Sequence, residues 1–129
     1  MSVADIDTDK TLDVAEELSD RLPKPIGYKM LVIKPEIEEK TEGGILKPHE
    51  FLRKEEAGAV VGLVLKQGDL CYKDEEKFPT GPWCKEGDFV LIGAYRGSRF
   101  SVDGKEFIII NDDMIEGVIE DPRGINRAY

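Results

Sequence analysis

The apolar residues of this chain come in short runs: YKMLVIK at 28–34, GAVVGLVLK at 58–66, DFVLI at 88–92, RFSV at 99–102, EFIII at 106–110 and MIEGVIE at 114–120. Each is of strand length, is rich in β-branched or aromatic residues, and is bounded by turn-forming or charged residues. A helical bundle has little to build from here. Asp103-Gly104 joins two of the runs, and a D-G pair in that position predicts a type I′ hairpin. Many short strands at regular spacing predict an all-β fold closing as a small barrel.

A chain of 129 residues has room for one modest core, with tails. The formal net charge of −9 argues against a nucleic-acid partner, since phosphate binding needs a basic face. No apolar stretch is long enough for a membrane helix, and the N-terminus lacks the pattern of a secretion signal. The expected setting is the cytoplasm, where Cys71 and Cys84 stay reduced.

The predicted organisation is an acidic N-terminal extension at 1–22, a barrel at 23–120 and a C-terminal tail at 121–129. The extension holds seven acids against two bases and so carries −5 of the charge. Leu12, Ala15, Leu18 and Leu22 recur at helical spacing, and Pro23 and Pro25 end any helix there. Residues 36–57 show no sustained period, many charges, a double glycine and a proline. They read as a long loop, a length that usually signals function. A second irregular stretch runs from Gln67 to Glu86.

Candidate chemistry is sparse. Cys71, Cys84 and the single histidine, His49, are too few and too scattered for structural zinc, so no metal or other cofactor is expected. His49 has no serine or cysteine beside it to activate, and Asp112 and Asp113 sit where a solvated turn is predicted. Catalytic residues are therefore assigned to none. Gly43-Gly44-Ile45-Leu46 stands out, since two glycines free the backbone beside two large aliphatic residues in a charged loop. Such a segment suits recognition, entering an apolar groove in an extended or hairpin form.

Taken together, PIGYKMLVIKPEIEEKTEGGIL from Pro25, GAVVGLVL at 58–65, KEGDFVLIGAY at 85–95 and the closing DDMIEGVIE resemble the GroES-like ten-kilodalton co-chaperonin family in order and interval. The resemblance implies a small β-barrel with a long mobile loop and a roof hairpin. It further implies a homo-oligomer, a heptameric dome, that caps a GroEL-like double-ring chaperonin when ATP is bound and encloses an unfolded substrate protein. In that reading Gly43, Gly44, Ile45, Leu46 and Lys47 meet the chaperonin's apical domains within a loop at 38–55. Tyr28, Met30 and Val32 on the first strand and Ile115, Val118 and Ile119 on the last form the subunit interface. Gln67–Glu86 supplies the roof hairpin, and Tyr95 faces the cavity.

Lys47 stands where the family usually has a third aliphatic residue, the KQGD after Leu65 departs from its common turn, and the extension is absent from its short bacterial members. Divergence of this kind suits a virus-encoded member working in host cytoplasm. The competing reading is a stand-alone barrel of the same fold that binds a peptide or small ligand through the same loop, and a monomer in solution would favour it.

Overall fold

The computed structural model describes residues 3–40, 61–93, 96–123 and 125. Two sheets are present: a two-stranded ribbon of β1 (Val3–Asp7) with β3 (Glu36–Lys40), and a six-stranded antiparallel sheet. The larger sheet contains β2 (Lys29–Ile33), β4 (Val61–Gln67), β5 (Phe89–Ile92), β6 (Ser98–Val102), β7 (Lys105–Asn111) and β8 (Ile115–Ile119), in the order β6-β7-β2-β4-β5-β8. One helix, α1 (Thr8–Leu18), follows β1. The architecture is the small all-β barrel expected from the sequence, with that one short helix added.

Alternation of side chains along each strand explains the two cores. Met30 and Val32 of β2, Val64 of β4, Val90 and Ile92 of β5, and Ile108 and Ile110 of β7 pack on one side of the sheet, with Ile115 of β8. Leu31, Ile33, Val61, Leu63, Phe89 and Phe107 pack on the other. With both faces buried, the strands read as nearly continuous apolar runs. Gly62 matters here for space: a Cβ on it would sit 2.2 Å from Val32 Cγ1, next to the bulge where β2 shifts register against β4. Asp103 and Gly104 both have positive φ, as the I′ hairpin between β6 and β7 requires.

Several expectations need correction. Residues 36–40, read as the start of a loop, are strand β3, paired to β1 with Ile6 opposite Ile37. The buried stripe of α1 is Thr11, Val14 and Leu18, whereas Leu12 points outward. Asp7 caps the helix by accepting the Lys10 N–H at 3.0 Å.

Gln67–Glu86 forms no roof hairpin, because none of residues 68–88 lies in a strand. Four of its apolar members turn inward instead: Cys71, Tyr72, Phe78 and Cys84 join the first core. Tyr72, Phe78 and Trp83 make an aromatic cluster whose Phe78 ring meets the other two edge-on, with centroids 4.8 and 4.9 Å apart. In the tail, Pro122 is buried and Ile125 packs against the second core.

Asp112 was expected in a solvated turn and is instead 4% exposed. Its Oδ2 accepts the Tyr72 N–H at 3.0 Å, and its carbonyl accepts the Tyr72 hydroxyl at 2.8 Å. The Tyr72 proton goes to that closer acceptor, so the Cys84 thiol, 3.3 Å away, donates to the Tyr72 oxygen. This network ties the irregular stretch to the turn before β8. Asp112→Ala would orphan a buried N–H and remove a charge-assisted bond, and is expected to cost about 1.5–3 kcal/mol in urea unfolding.

Candidate functional site

The segment assigned to recognition falls between β3 and β4 in the chain. Gly43, Gly44, Ile45, Leu46 and Lys47, with His49, lie outside the described residues, as does Tyr95. The strands on either side of the segment are tied to the rest of the fold. The Glu36 N–H, at the first residue of β3, donates to Thr11 Oγ1 at 2.8 Å, and the Glu36 carboxylate pairs with Lys105 Nζ at 2.8 Å. Val61, the first residue of β4, is fully buried in the second core.

The six residues assigned to a subunit interface are not brought together as expected. The first strand of the barrel is not an edge: β2 has β4 on one side and β7 on the other. Met30 and Val32 are 0% exposed within the protomer and have no surface to offer a neighbour. Sequence order places this run first, but the return of β7 along its far side makes it central. Ile115 is likewise buried in the first core.

Among the described residues, the edges of the larger sheet are β6 and β8. On β8, Val118 is 49% exposed and Ile119 is half-buried. Val118 shares a shallow surface with Trp83, Ile115, Glu116 and Gly117. Tyr28, just before β2, is 51% exposed, and Ile26 beside it is 78% exposed. The missed apolar candidates are therefore Ile26 and Trp83, and no periodicity marks either one.

The two thiols are buried. Burial pushes the Cys71 thiol up to about 11 and raises that of Cys84, so both remain protonated at neutral pH. Cys71 Sγ donates to the Lys29 carbonyl at 3.3 Å. Both cysteines are free thiols on the irregular stretch, and both act there as packing groups.

An open cleft of about 550 Å³ lies between the irregular stretch and the start of β2, lined by Tyr28, Leu70, Lys73, Lys77 and Asp113 among others. An ion pair at 2.6 Å between Lys77 and Asp113 occupies its charged side. Near the β6–β7 hairpin, burial works against the Glu106 charge. Lys34 and Arg99 outweigh it and hold the carboxyl below its ordinary value. Among the described residues no group of three or more His, Cys, Asp or Glu is placed to hold a metal, and no helix is long and apolar enough to cross a membrane.

The described residues form a small antiparallel barrel backed by the β1–β3 ribbon and α1. The chain matches the Chaperonin 10 Kd subunit family over residues 23–119, and it belongs to that family. Its relatives include the co-chaperonin GroES of Legionella pneumophila strain Corby, 35% identical over 101 residues that span 75% of this chain and 96% of the relative. The co-chaperonin GroES of Dinoroseobacter shibae is 34% identical over 104 residues, covering 81% of this chain and 96% of its own length. That of Rhodothermus marinus is 36% identical over 101 residues, covering 78% and 94%. The chain is thus a co-chaperonin and not an enzyme.

Proposed function

We propose that this co-chaperonin acts as a ring of identical copies, a heptamer, that caps an ATP-bound GroEL-like double-ring chaperonin in the cytoplasm and encloses an unfolded substrate protein beneath it. The observation that carries this reading is the family match at 23–119, which covers the whole barrel together with the excursion from β3 to β4. That excursion holds Gly43-Gly44-Ile45-Leu46, followed by Lys47.

Each copy docks by placing Ile45 and Leu46 in an apolar groove of an apical domain. Burial of each residue contributes about 1.5–3 kcal/mol. Ordering the segment offsets much of that, so a single copy binds weakly. Copies linked in a ring overcome the limit, since every contact after the first is intramolecular. Lys47 then reads as a residue that selects the partner, and Tyr95 as one facing the cage.

Ring closure uses the outer edge of β8. An unpaired edge strand invites pairing with another chain, and a head-to-tail contact that closes satisfies it in every copy. The extended stretch before β2, with Ile26 and Tyr28 exposed, is the complementary surface. Val118 and Ile119 belong to this interface, and Met30 and Val32 do not.

The test is refolding of an aggregation-prone substrate by a bacterial double-ring chaperonin with ATP, with and without this protein. Added protein should raise the yield. Val118→Asp should leave the barrel folded, reduce the native mass to that of smaller species, and abolish the gain. A wild-type monomer that gives no gain would favour the stand-alone barrel.

A further inference from the structure

The family match begins at residue 23, so β1 and α1 are additional to it. They pack against the strands that flank residues 41–60 in the chain. β1 pairs along the full length of β3, the strand before those residues. Ile6, Val14 and Leu18 lie in the same apolar cluster as Val61 of β4, the strand after them.

A ribbon of two five-residue strands is marginal alone. Support comes from α1. Thr11 is 0% exposed; its hydroxyl donates to the Asp7 carbonyl at 2.7 Å and accepts the Glu36 N–H at 2.8 Å. One oxygen thus joins the end of β1 to the start of β3. Lys105 holds Glu36 from the barrel side, and Arg21 pairs with Asp103 at the β6–β7 hairpin, fastening the far end of the unit.

We propose that β1 and α1 form a brace that fixes where the chaperonin-contacting segment departs from the barrel, with Thr11 as its positioning residue. The inference rests on the co-chaperonin reading of that segment. Holding β3 in place before docking removes part of the ordering cost of binding, and so raises the affinity of every copy.

Full-length Thr11→Val, Thr11→Ser and Ile6→Asp test this. Three quantities are measured: native mass, amide exchange along 36–40, and the Kd for a bacterial GroEL-type chaperonin with ATP. In Thr11→Val, exchange at 36–40 should accelerate while β2, β4 and β7 stay protected and the mass is unchanged. The Kd should rise by at least about tenfold, because a modest loss per copy compounds across linked sites. Thr11→Ser, which restores the hydroxyl, should return both readouts towards wild type.

Faster exchange with an unchanged Kd would overturn the brace, as would unchanged exchange in both Thr11→Val and Ile6→Asp. If Ile6→Asp fails to fold, the near-isosteric Thr11→Val decides alone. A wild type that does not bind chaperonin at all would remove the co-chaperonin reading and this inference with it. That failure is recognisable because it precedes any comparison of variants.

Discussion

Ile45→Asp is expected to abolish ATP-dependent capture by chaperonin while leaving the ring mass and the melting temperature of the barrel at their wild-type values. The substitution removes the apolar burial of one anchor and forces a carboxylate towards an apolar groove, where an unpaired charge is far more costly than the lost contact. The defect is repeated in every copy, so avidity magnifies it. No effect on the fold is expected if Ile45 serves recognition alone, and a melting temperature equal to wild type checks that. Binding measured by ultracentrifugation against wild type gives the answer. Wild-type affinity in the variant would remove Ile45 from the contact.

Phe107→Ala should have the largest effect on stability, about 3–5 kcal/mol in urea unfolding, seen as a lower midpoint with unchanged slope. Phe107 is fully buried on β7, opposite Ile33, with its ring stacked on Phe100 at 5.6 Å between centroids. It belongs to the cluster that also contains Val14 and Leu18 of α1, so the cavity would open between the sheet and its N-terminal cover. A cost below about 1 kcal/mol, the size of a typical exposed-site change, would mean that this face of the sheet is not tightly covered.

How much could be read beforehand differed from element to element for identifiable reasons. The β6–β7 hairpin was legible because Asp103-Gly104 encodes its own backbone geometry. β2, β4, β5 and β7 were legible because burial on both faces selects nearly unbroken apolar runs, and β8 because its aliphatic residues follow a polar turn. The ribbon was not, since VADID and EIEEK mix acids with single aliphatic residues and gain their order from Thr11 and the helix.

The place of β2 in the sheet was also hidden, because spatial neighbours do not follow from chain order. Reading it as an edge put Met30 and Val32 at an interface, although they are core residues. Asp112 looked like a surface turn residue because its partner, the Tyr72 N–H, lies 40 positions away. The recognition segment is proposed from sequence alone, on a glycine pair beside two aliphatic residues amid charge, and Gly43–Lys47 lie outside the described residues.

The central claim is that the chain is a lid whose binding depends on the nucleotide state of a chaperonin, and size-exclusion co-elution with a bacterial double-ring chaperonin tests it most directly. With ATP, the protein should move to the chaperonin peak at a mass equal to one ring per capped end; without nucleotide it should elute at its own position. Equal elution in both conditions, with the protein running as a monomer, would contradict the account and leave a free-standing barrel in its place.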